Sequence, residues 1–232
     1  APGPAITISN MVAVNGGGNA LPGSQLDFTI TINNTGSDAL GTVFQDILDS
    51  NLTLVPNSLK ITPIAANDAY NCIGNVGITL AAGDGVLAND FSPDGSVLSV
   101  VVLTNPSHGT VNLNTNGAFT FNPTAGYSGT DSFTYTLTSA SGKTNTGTVN
   151  ITISTPIIFV NGAASTTGTG TLADPFKNVS SITGTASSPI FIYTGASGTN
   201  LTLTNNQKVI GQGAKTSLVT LLNLTVPSYS NP

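Results

Sequence analysis

Apolar and polar residues alternate with period two along much of the chain. The clearest run is Leu26-Asp27-Phe28-Thr29-Ile30-Thr31-Ile32, apolar at even positions and polar at odd ones. This alternation predicts a strand with one face on a core and the other in water. Five more strand signals follow at 96–103, 109–113, 118–121, 132–138 and 147–153, each set off by Gly, Pro or Asn. Asn116-Gly117, between two of these runs, predicts a hairpin. Spacings of about 8–14 residues between runs suit a β-sandwich.

After Pro156 the pattern changes. Ile157-Ile158-Phe159-Val160 is a short, wholly apolar run, and later runs at 190–193, 201–204, 208–210 and 218–226 are separated by Gly, Thr and Ser. The reading is therefore all-β: two β-sandwiches in tandem, over 1–64 and 65–155, followed by a short third β segment over 156–232.

Composition narrows the function. Only 6% of residues are charged, against roughly 25% in an average soluble domain. All ten acids are Asp, and Lys and Arg together number 5. Thr, Ser, Asn and Gln must cover the surface. Nucleic acid binding needs clustered Lys and Arg, and so does attraction to an anionic membrane; neither partner is expected. No run reaches the ~18 apolar residues of a membrane span. Cys72 is the single cysteine, so no internal disulfide forms, and it is expected to be a small buried apolar residue. Ala1-Pro2-Gly3-Pro4 carries no signal-peptide pattern, so a secreted protein would be present here in mature or trimmed form.

Three resemblances rest on particular residues. In the first segment, the Asn34-Thr35-Gly36 turn and the later Asp46 and Leu48 resemble the DUF11-type repeat of surface proteins. That repeat implies an immunoglobulin-like spacer. In the second, the blocks Gly85-Val86-Leu87-Ala88-Asn89-Asp90, Pro106-Ser107-His108-Gly109 and Gly129-Thr130-Asp131-Ser132-Phe133-Thr134-Tyr135 resemble the bacterial cadherin-like tandem repeat. This implies a cadherin-like sandwich in an adhesin or other multi-domain surface protein. In the third, Asp174-Pro175-Phe176 and Gly211-Gln212-Gly213 resemble the first coils of a right-handed parallel β-helix. A coil buries its apolar face only against its neighbours, and about three coils are needed for stability. The segment is therefore expected to be part of a longer polypeptide or to be completed by a neighbouring subunit.

Catalytic chemistry finds few residues to use. The chain has one His and no Glu, and His108 sits in a turn before a strand. A zinc site has too few ligands, and no nucleophile motif accompanies His108. The expectation is that the chain is not an enzyme. Calcium, which takes six to eight oxygens, is the one cofactor to weigh. Its candidate ligands are Asn67, Asp68, Asp84, Asn89, Asp90, Asp94 and Asp131. The alternative is that Asx residues simply favour turns. The sequence also departs from the acidic pattern of the family it resembles, with Ser92 and Ser96 at two usual acid positions. Asn-x-Ser/Thr sequons occur at Asn33, Asn51, Asn150, Asn178, Asn200 and Asn223.

These readings converge on an extracellular structural or adhesive surface protein, one form of which is a self-assembling filament or sheath subunit. Its expected partners are further copies of itself or other surface proteins, held by edge-strand pairing. Residues 5–9 are one candidate for a strand donated to a neighbour. A glycan-binding module, or a spacer within a large adhesin or β-helix enzyme, is the alternative.

Overall fold

The computed structural model describes residues 3, 5–35, 50–55, 60–183, 187–196, 201–204, 206–214 and 218–222. The turn residue Gly36, the Asp46 and Leu48 positions, and the sequons at Asn200 and Asn223 lie outside them. The chain divides into two compact units, Ala1–Pro56 and Asn57–Pro232.

In the first unit, β1 (Ile6–Val14) and β2 (Leu26–Asn34) pair as an antiparallel ribbon. The register sets Ile8 opposite Ile32 and Val12 opposite Phe28, so period-two alternation gathers the apolar side chains on one face. Ile8 is 57% exposed and Phe28 41%. Residues 6–9, expected as a strand to donate, are already paired with β2 of their own chain. Residues 51–55, where Asn51-Leu52-Thr53-Leu54-Val55 also suggests a strand, join no ladder among the described residues, and Asn51 lies in a turn.

In the second unit, seven strands build two facing sheets. They are β3 (Asp68–Ile73), β4 (Ile78–Leu80), β5 (Leu98–Thr104), β6 (Gly109–Leu113), β7 (Phe119–Pro123), β8 (Gly129–Ser139) and β9 (Thr144–Ser154). One sheet has the order β3-β9-β8-β5 and the other β4-β7-β6. All pairs are antiparallel except β3 with β9. Inward residues of β8 and β9, including Phe133, Tyr135, Leu137, Val149 and Ile151, meet Phe119, Phe121, Ile78 and Val100 in one core. Burying such side chains contributes about 1.5–3 kcal/mol each before chain entropy is charged against it. The outward positions of β8 and β9 are Thr, Ser or Asn in facing pairs, such as Thr136 with Thr146 and Ser132 with Asn150. This hydroxyl-covered face takes the place of the usual charged surface.

The five expected strands of this sandwich all appear, some longer by a few residues. The predicted hairpin joins β6 to β7, with Asn114 accepting from Gly117 N–H at 3.0 Å and Gly117 at φ +86°. Only a residue without Cβ adopts that angle at no cost. Cys72 is buried, with its thiol directed at the Val76 carbonyl at 3.0 Å.

Beyond Pro156, β10 (Ile158–Val160), β11 (Ile190–Ile192) and β12 (Val209–Gly211) form a parallel sheet in chain order. A 3-10 turn, Val179–Ser181, lies between the first two. Ile158, Val160 and Ile190 are buried on one side with Phe176 and Leu201. Ile157 and Phe159 are buried on the other side against Ile73 and Val76 of the sandwich. Asn75 binds the two parts together. Its side chain donates to the Ile157 carbonyl at 2.9 Å and accepts from Gly126 N–H at 2.7 Å, and its own carbonyl accepts from Leu172 N–H at 2.9 Å. One expectation changes: 218–222, read as part of an extended run, forms a short helix, α1 (Leu218–Leu222). Leu is a strong helix former, and Lys208 Nζ donates to the Leu221 carbonyl at 2.9 Å, serving one of the helix's last carbonyls.

Candidate functional site

Alternation along β8 places Tyr135 inward, where its apolar ring fills the core and its hydroxyl must find partners. The ring lies against Gly147 of β9, where any Cβ would collide with it. The hydroxyl ends among five oxygens. Asp90 Oδ2 lies at 3.0 Å, Asp90 Oδ1 and the Ala66 carbonyl at 3.1 Å, the Val86 carbonyl at 3.3 Å and Asp68 Oδ2 at 3.4 Å. Ala66 N–H donates to Asp90 Oδ1 at 2.8 Å. Asn89 donates to the Asn67 carbonyl at 3.2 Å, and Asn67 Oδ1 accepts from Thr148 N–H at 3.1 Å. One phenol oxygen thus joins the start of β3, the loop before residue 91 and the middle of β8.

The electrostatics follow from proton counting. A phenol supplies one hydrogen, yet two carboxylates and two carbonyls compete for it. Asp68 is 7% exposed, and burial first, then the nearby Asp90 charge, push its pKa up to about 7. Burial also raises Asp90 above the usual carboxylate range. Burial and the two carboxylates raise Tyr135 as well. A carboxyl proton on Asp68, given to the phenol oxygen, relieves the repulsion and supplies the missing hydrogen. The arrangement works as a proton-holding clasp.

The candidate calcium ligands divide accordingly. Asn67, Asp68, Asn89 and Asp90 come together around Tyr135. Asp84 meets β3 through its main-chain oxygen instead, which accepts from Tyr70 Oη at 3.0 Å. Asp94 serves its own turn: Ser92 Oγ donates to it at 2.6 Å and Ser96 N–H at 2.9 Å, and these bonds hold its pKa down at about 2. Asp131 accepts from the N–H groups of Ser107 and Ser132 at 2.9 Å and of His108 at 2.8 Å. Among the described residues no three His, Cys, Asp or Glu side chains are grouped to hold a metal ion. Asp68 and Asp90 are the two carboxylates that could contribute to one, and the phenol oxygen stands at the point on which their oxygens converge.

A second feature lies at the start of β8. Ser107, His108, Thr130, Asp131, Ser132 and Asn150 line a shallow, open cavity of about 250 Å³. The His108 ring stacks on Tyr127 with centroids 4.0 Å apart and planes 10° from parallel. Asp131 meets the backbone of His108, which is a turn-capping arrangement and not that of an acid orienting a catalytic imidazole.

Two central residues escape a reading of the sequence. Tyr135 carries one signal, a hydroxyl at an inward position of a strand. Asn75 carries only its place in a Gly-Asn turn, and the partners of its side chain lie 51 to 95 residues away.

Residues 60–152 match the bacterial Ig domain family. No curated protein matches the chain. Among solved structures, a nucleoside hydrolase-related protein from Saccharophagus degradans associated with carbohydrate metabolism is 13% identical, with TM-score 0.32, over 42% of this chain and 26% of that one. An endo-fucoidan hydrolase of glycoside hydrolase family 107 is 15% identical, with TM-score 0.32, over 60% of this chain and 20% of that one. The human desmocollin-1 ectodomain is 15% identical, with TM-score 0.29, over 44% of this chain and 24% of that one. The chain thus spans about a quarter or less of the length of each.

Proposed function

We propose, from the bacterial Ig domain at residues 60–152, that the chain is a structural or adhesive part of an extracellular cell-surface protein and performs no catalysis. That domain is the observation that carries the reading, since such domains are typical of surface proteins. Two features of the sandwich support it. Its outer face is hydroxyl-covered and nearly uncharged. Its inward Asp and Tyr groups are spent on holding loops to strands. In this reading residues 1–64 are a DUF11-like spacer, with the alternating ribbon as support. Residues 156–232 begin a β-helix, with three parallel strands in chain order as support. Edge-to-edge pairing into filaments is the mode of association that the Lys-poor strand edges favour.

Electron microscopy of the native material, with intact mass on the same sample, tests the assembly. Ordered filaments or sheets are expected, and isolated small particles would remove the filament role. A second reading, glycan binding, is favoured by the cavity beside His108, where hydroxyls, an amide and a stacked ring meet. A glycan array on which the chain retains no sugar would dispose of it.

A further inference from the structure

Asp174-Pro175 is the one Asp–Pro bond in the sequence. Its surroundings are unusual for an exposed loop. The Asp174 main-chain oxygen accepts from two backbone donors, Thr169 N–H and Gly170 N–H, both at 3.0 Å. The Asp174 carboxylate turns toward the same place: Oδ2 accepts from Thr169 N–H at 3.0 Å and from Thr169 Oγ1 at 3.1 Å. Thr171 Oγ1 accepts from Asp174 N–H at 3.1 Å, which fixes the residue from its other side. The wrap is close enough that a Cβ at Gly168 would collide with Asp174 Oδ1. The Gly-Thr-Gly sequence before the bond is therefore what lets the backbone reach it. Asp174 itself is open to water.

Each part has a use in breaking the bond. Two N–H groups about 3 Å from a carbonyl oxygen are the arrangement that stabilises an oxyanion. A carboxylate one methylene away from that carbonyl can close a five-membered ring on it. Proline leaves as a secondary amine from a tertiary amide that has no N–H of its own.

We propose that Asp174–Pro175 is a self-cleavage site. Asp174 Oδ1 attacks the Asp174 main-chain carbonyl carbon, forming a C–O bond and placing negative charge on the oxygen held by Thr169 and Gly170. The C–N bond to Pro175 breaks, and the nitrogen takes the electron pair and a proton from the carboxyl group or from solvent acid. The cyclic anhydride left on Asp174 is opened by one water molecule, giving a fragment that ends in Asp174 as the free acid and a fragment that begins with Pro175. Because the nitrogen takes up a proton, the reaction speeds up as pH falls. The cut lies between β10 and β11, so the parallel sheet keeps the fragments together until they are denatured.

The bland reading is that Asp174 only caps a turn, and that the bond has the ordinary acid lability of any Asp–Pro pair. Folding separates the two. The full 232-residue chain is incubated in mild acid, once folded and once in urea at the same pH, and followed by intact mass under denaturing conditions. The proposal expects two fragments divided at 174/175, formed at least about tenfold faster in the folded chain, a fraction of the effect of one oxyanion donor. Hydroxylamine should trap the anhydride as a hydroxamate on Asp174. Asp174→Asn, which keeps an acceptor for Thr169 and removes the carboxylate, should lose the hydroxamate and nearly all cleavage. Equal or slower cleavage of the folded chain, or a cut at another bond, would overturn the proposal.

Discussion

Asp68 sets the pH response of the Ig-like sandwich. Its carboxyl ionises near 7 in the folded chain, against an ordinary value of 3.8. The folded state therefore holds a proton that the unfolded state has lost. The stability this confers is complete below about 4 and is lost as pH rises toward and through 7. The change amounts to a few kcal/mol, since one pKa unit is about 1.4 kcal/mol. Urea midpoints measured from pH 4 to pH 8 should fall with rising pH, and Asp68→Asn should flatten the slope. A midpoint that rises over this range would show that Asp68 is ionised in the fold. Tyr135→Phe removes the hydroxyl around which both carboxylates are arranged, and at neutral pH should cost about 2–3 kcal/mol. Gly147→Ala forces a methyl into the Tyr135 ring and should cost about 1–3 kcal/mol by overpacking. Thermal unfolding of each variant measures both effects.

At the scale of elements, the joint at Asn75 is the most vulnerable point. Asn75 is buried, and its side chain and carbonyl serve three separate loops. Asn75→Ala leaves buried donors and acceptors unpaired and should cost about 3 kcal/mol. Hydrogen exchange should show lost protection at Gly126, whose amide the side chain holds, before the β8–β9 ladder is affected. Unchanged protection there would mean that the joint is held by apolar packing alone. The sandwich strands could be read from the chain because β8 and β9 alternate without a break, Phe133, Tyr135 and Leu137 inward and Thr134, Thr136 and Thr138 outward. Helix α1 could not, because Leu-Val-Thr-Leu-Leu is too short to show any period. The carboxylates of the clasp were visible as an Asx cluster. Their partner was not, because Tyr135 reaches Asp68 and Asp90 across 67 and 45 residues of chain, and only the fold creates that proximity.

At the scale of the whole molecule, a chain with 6% charged residues depends on Thr, Ser and Asn for its solvated surface. Such a surface leaves the described strand edges without the Lys that usually blocks pairing. No helix among the described residues is long and apolar enough to cross a membrane. The function proposed from the match of residues 60–152 to the bacterial Ig domain family requires a position outside the cell. Immunogold electron microscopy on intact, unpermeabilised cells that carry the protein checks this. Gold is expected on the outer surface or on material extending from it; gold seen only inside sectioned cells, with the exterior bare, would refute the proposal.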